Sequence, residues 1–140
     1  MFYMNNMPRK PTETTKAWLR YAAGDLAVAQ RELDSEIPVY HTICFLCQSS
    51  AEKFIKGFLI SCGWHLEKTH DIVELLGYCS DYDSVLGSMI VEGAILNEYI
   101  VAGRYPGDVA AEGISADAAK EALEAVHRIR ARIMKLMEFN

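Results

Sequence analysis

The chain has 140 residues, the size of a single domain, and is long enough to bury a core without disulfides or a structural metal. Hydrophobic residues make up 51% and charged ones 24%, and the formal net charge of -5 argues against a duplex-DNA binder with a broad basic face. No run of about 18 apolar residues is free of charge, and residues 1–11 lack the apolar core of a signal peptide, so a cytoplasmic protein without membrane association is expected.

Residues 1–13, with Asn5-Asn6 and Pro8-Arg9-Lys10-Pro11, read as an N-terminal arm, and residues 14–140 as one domain. The four prolines (8, 11, 38 and 106) lie outside every periodic run, and nowhere do apolar and polar residues alternate as in a strand. A first helix is predicted over residues 14–33, with Trp18, Ala22, Leu26, Ala29 and Leu33 on one face. A second starts near Pro38 and stops at Gly63, a C-terminal cap, with Ile43, Cys47, Ser50, Phe54, Phe58 and Cys62 inward. Thr69 is expected to cap a short third helix over residues 71–79. A fourth helix is predicted over residues 84–102, with Val85, Met89, Leu96 and Tyr99 or Ile100 inward. Residues 103–113 are glycine-rich and irregular. Ser115 caps the last helix, whose core stripe is Ala119, Leu123, Val126, Ile129, Ile133 and Leu136. The fold class is all-α: an up-and-down bundle of four long helices plus one short helix.

Four segments carry a family resemblance. Trp18-Leu19, Ala22-Ala23 and Asp25-Leu26 open the first helix. Cys44-Phe45-x-x-Gln48 runs into Ala51-Glu52-Lys53-x-x-Lys56-Gly57 in the second, with Ser49 and Ser50 between. Gly63 and Lys68-Thr69-His70-Asp71-Ile72 mark the turn that follows. Tyr99-x-x-x-Gly103-Arg104-Tyr105-Pro106 precedes the last helix. In this order, across nearly the whole chain, they resemble the HEPN family. The resemblance implies a helical bundle that often dimerises and associates with nucleotides or nucleic acid. It also implies a partner of the minimal nucleotidyltransferase type, in bacterial toxin–antitoxin or defence systems. The family's ribonucleases carry Arg-x(4–6)-His, and here no histidine follows Arg104 at that spacing; Asp108 stands four residues on. Ribonuclease chemistry of that kind is therefore not expected, and no catalytic residue is assigned.

The candidate site is phosphate-binding. Arg104 offers a planar fork of donors matched to phosphate oxygens, and Tyr105 can stack on a base. Gly103 and Gly107 permit close backbone approach, and Asp108 closes the segment. The plainer reading is an Arg104–carboxylate pair that fixes the loop, with Tyr105 covering core. Lys53 and Lys56, three apart on one helix, join Lys68 and His70 as candidates for a positive pocket, a field that Glu52 and Glu67 would partly neutralise. Equally, these are solvated lysines, with His70 hydrogen-bonded to a neighbouring helix. Glu67-x-x-His70 and Glu124-x-x-His127 have di-iron spacing, but the first straddles a helix start and the second sits among Arg128, Arg130 and Arg132; no metal site and no cofactor are assigned. Cys44-x-x-Cys47 lies in an apolar helix without a second such pair, so reduced, buried thiols are expected there and at Cys62 and Cys79. Expected partners are a second copy of the chain, a nucleotide or RNA, and a nucleotidyltransferase subunit. A docking subunit without a ligand site is the alternative, and a residual ribonuclease or a di-metal bundle enzyme is a third reading.

Overall fold

A computed structural model describes residues 12–100 and 113–137, and among them every regular element is a helix. These are α1 (Glu13–Leu33), α2 (Tyr40–Ser61), α3 (Ile72–Cys79), α4 (Ser84–Gly87), α5 (Ile90–Asn97) and α6 (Ala116–Met137). None is long and apolar enough to cross a membrane.

Capping chemistry sets most of the ends. Thr12 starts α1 by accepting from the Thr15 amide at 3.2 Å, so the helix begins one residue earlier than expected. The Glu32 carboxylate then accepts from the Val39 amide at 3.0 Å, which holds the turn and delays α2 to Tyr40. Gly63 follows α2 at φ +93°, the left-handed conformation that glycine adopts without strain, and the Trp64 amide returns to the Leu59 carbonyl at 2.9 Å. The Ser115 hydroxyl accepts from the Ala118 amide at 3.3 Å, as expected of a cap.

The run of contacts makes α1 and α2 antiparallel. Ser50 Oγ donates to the Ala22 carbonyl at 2.7 Å, and further along α2 Gly57 faces Trp18, so numbers rise on one helix as they fall on the other. A Cβ at Gly57 would lie 3.1 Å from Trp18 Cβ, so the missing side chain permits this approach. Helix α2 is the central element, packed on α1, α3, α5 and α6. Its Ile43, Cys47, Phe54, Ile55 and Leu59 meet Leu26, Leu75 and Leu76 and the α6 stripe of Ala119, Leu123, Val126, Ile129 and Ile133, all buried. The four cysteines are free thiols within this core.

Two expectations are corrected. Residues 84–102 are not one helix: α4 closes after one turn and α5 starts at Ile90. Ser88 Oγ bonds back to the Val85 carbonyl at 2.8 Å, and Met89 leaves helical backbone at φ −78°, ψ 47°. A Cβ on Gly87 would lie 2.7 Å from Ser80 Cα, so the end of α4 sits against the preceding turn at a position where only glycine fits. The break rotates the register, burying Leu86 and leaving Val85 half exposed, while Leu96 and Tyr99 remain inside. The described bundle thus has three long helices and three short ones. Thr69 is also not the cap of α3. Asp71 is, accepting from the Glu74 amide at 3.1 Å, while Thr69 Oγ1 accepts from the Asp71 amide at 3.2 Å.

Candidate functional site

Helix α2 presents two polar rows. Gln48, Glu52 and Lys56 stand four residues apart on one side, and Ser49 and Lys53 form the neighbouring row. The second row meets α1. Lys53 Nζ lies 2.7 Å from Asp25 Oδ2, and Ser49 Oγ donates to the same oxygen at 2.8 Å.

The first row faces the segment before α3. Glu52 Oε2 holds Lys56 Nζ at 2.9 Å, and Oε1 lies 2.9 Å from His70 Nδ1 and 3.2 Å from Gln48 Nε2. Gln48 Nε2 also donates to the His70 carbonyl at 3.0 Å, so backbone and ring of His70 are both tied to α2. Burial alone would raise the Glu52 carboxyl. Hydrogen bonds from Lys56 and His70, the Lys56 charge and Gln48 together outweigh it and hold the carboxyl below its ordinary range. The Lys56 side chain is only 5% exposed, so its charge is directed at Glu52 and away from solvent.

The predicted residues therefore fall in separate places. Lys56 and His70 converge on Glu52; Lys53 belongs to the α1 contact; Lys68 is exposed on the loop before α3. Arg104, Tyr105 and Asp108 lie outside the described residues. His70 bonds across to a neighbouring helix, the plainer of the two readings drawn for it.

Beyond that junction, Asp83 caps α4 through the Leu86 amide at 2.8 Å and receives Arg132 Nε at 2.9 Å and Nη2 at 2.7 Å. The Arg132 bonds, more than enough to offset partial burial, hold its carboxyl below the ordinary range. Asp71 is likewise lowered, chiefly by the Asn97 amide, which donates to it at 2.8 Å. Glu92 and Glu124 both face Arg128 at 3.6 Å. Among the described residues no group of three or more His, Cys, Asp and Glu side chains is placed to hold a metal ion. Burial pushes the Cys44 thiol up to about 11, against a hydrogen bond with Tyr99, and raises Cys47 further, which disfavours the reactive thiolate at both positions.

A groove of about 610 Å³ opens beside Lys53, along the first half of α1, lined also by Glu13, Ala17, Trp18, Arg20 and Tyr21. Sequence periodicity puts Trp18 in the core stripe and Arg20 on the polar face, and it marks neither as a site residue. An available signal was Tyr21, an aromatic residue off the apolar stripe, which is left 64% exposed.

The HEPN domain family model matches residues 15–136. Among solved structures, an archaeal HEPN homologue, ST0689, is 23% identical with a TM-score of 0.70, covering 94% of this chain and 99% of that one. TT1696 from Thermus thermophilus is 25% identical with a TM-score of 0.71, covering 89% and 98%. No curated protein matches the chain.

Proposed function

The chain belongs to the HEPN domain family, and from that premise we propose that it is a nucleotide- or RNA-associated module that does not cut RNA by the family's Arg-x(4–6)-His chemistry. The observation that carries this reading is the fate of the histidines. None follows an arginine at the required spacing, and His70, which stands in the resemblance's own motif, is bonded through Nδ1 to Glu52 as part of the scaffold. Phosphate recognition is assigned to Arg104, supported by the planar geometry of its donors, with Tyr105 and Asp108 beside it. Lys68, exposed on the loop before α3, supplies further positive charge, and the module works as a homodimer.

The test is a thermal-shift series of wild type and Arg104→Ala against adenine and guanine nucleotides and a short RNA, with and without magnesium. A ligand at about a hundred times its dissociation constant stabilises by roughly 2.7 kcal/mol, a shift of several degrees. A shift in wild type that Arg104→Ala loses supports the reading; no shift with any ligand refutes it.

A second reading is an interaction subunit that docks a nucleotidyltransferase in a toxin–antitoxin or defence system. The exposed apolar side chains Val85, Ile90 and Val91 around the α4–α5 break favour it. Co-purification of such a partner from the native host, lost in Val91→Asp, is the result it requires.

A further inference from the structure

Resting on that reading, we infer that the α1 groove is a base-stacking site for single-stranded RNA, taking one base against Trp18 and Tyr21 and its phosphodiester at Arg20. Its volume of about 610 Å³ lies within the range of small-ligand clefts, roughly 300–1,000 Å³. Trp18 is seated at the contact of α1 with α2, its Cβ 3.1 Å from the place a Gly57 Cβ would occupy. Tyr21, one turn on, leaves most of its side chain in water. Two aromatic side chains three residues apart on one helix face offer a base the flat apolar contact that sequence-tolerant RNA binders use.

The charges select the rest of the ligand. Lys53 is engaged by Asp25, and Glu13 lies near Lys16 at 3.7 Å. Arg20 has no carboxylate partner among the described residues; its guanidinium lies 6.0 Å from the centroid of the Tyr21 ring. One uncompensated cation beside two aromatic rings matches one phosphate per base, the ratio of a nucleic-acid strand. A nucleoside triphosphate would bring about four negative charges to a protein of net charge -5, with a single arginine to receive them. Free nucleotide and strand share the base and phosphate chemistry, and the count of cations favours the strand.

The chain has two tryptophans, and Trp64 packs on Tyr78, whose ring centroid is 5.7 Å away, outside the groove. Trp64→Phe therefore leaves Trp18 as the only indole reporter. The experiment titrates this variant with a short oligouridylate and, separately, with ATP, following Trp18 emission while complex formation is read by mobility shift. Saturable quenching by the oligonucleotide, weaker with ATP, is expected. Adding Tyr21→Ala weakens binding about tenfold, and adding Arg20→Gln weakens it and flattens its salt dependence. RNA that shifts the protein without altering Trp18 emission, and with equal affinity in both variants, overturns the groove assignment and leaves the RNA-binding reading standing. No complex by either readout removes that reading and the groove site with it. A wild-type dimer that Tyr21→Ala turns into monomer with unchanged RNA affinity overturns the inference in favour of a subunit contact.

Discussion

Lys56 and Glu52, one turn apart on α2, form an ion pair of 2.9 Å in which the lysine side chain is 5% exposed and the glutamate 13%. A charge so far from water depends on its partner, because a buried ion left alone is strongly disfavoured while a shape-matched apolar replacement is often tolerated. Glu52→Ala is therefore expected to cost about 3 kcal/mol, measured by urea unfolding. Lys56→Met in the Glu52→Gln background should recover much of that loss. Equal destabilisation by the single and double variants would contradict the pair's role.

Asp83 is expected to show two separable contributions. Its Oδ2 both caps α4 and, with Oδ1, receives Arg132. Asp83→Asn keeps a capping oxygen and loses the charge, whereas Asp83→Ala loses both. The alanine variant should be less stable than the asparagine variant by about 1 kcal/mol, the usual worth of a cap. The ion pair adds a smaller amount because Arg132 is 24% exposed and partly screened. Thermal unfolding of the two variants side by side decides this.

Acid should loosen the fold through these carboxylates. Glu52, Asp71 and Asp83 all titrate below their ordinary values in the folded chain. The unfolded state thus binds protons first as pH falls. Their stabilisation is complete above the unfolded values, near pH 4, and disappears as pH drops through the lower folded ones. Urea midpoints should be flat from about pH 7 to 5 and fall below about pH 4, with a shallower fall in Glu52→Gln. A midpoint that rises on acidification would contradict the assignment.

The four free cysteines should resist modification in the native protein. Burial raises Cys44, Cys47 and Cys79, and the thiolate is the reactive form. A colourimetric thiol reagent at neutral pH is expected to titrate almost none of them before denaturant and all four after it. Rapid labelling of two thiols in the folded state would reopen a redox role for Cys44-x-x-Cys47.

Helical periodicity made the bundle legible where apolar spacing was unbroken: the α6 stripe from Ala119 to Ile133 is buried residue by residue. It misled over residues 84–102, because Val85, Met89 and Leu96 keep helical spacing while the backbone breaks at Ser88 and Met89, just after Gly87 packs on Ser80, a tertiary contact that periodicity does not register. The candidate site shows the same division. Lys53 and Lys56 are close in sequence on one helix, yet Asp25 takes one and Glu52 the other, a split that depends on which neighbouring helix lies against each row. Glu52 was legible as a charge that weakens a positive pocket; that it gathers Lys56, His70 and Gln48 at once became visible only when the loop before α3 was brought against α2. The α1 groove was hidden for a related reason, since Trp18 reads as core, whereas the buried stripe of α1 runs through Thr15 and Leu19 and leaves Trp18 half-buried beside the groove.

The most direct test of the central claim is a mobility-shift titration of a short end-labelled single-stranded RNA with the wild-type protein, each sample then resolved under denaturing conditions. A saturable complex that weakens with salt, from which the RNA is recovered at full length after prolonged incubation, is the predicted result. RNA that never enters a complex, or that enters one and is recovered cut, would contradict the account of a non-cleaving RNA-associated HEPN module.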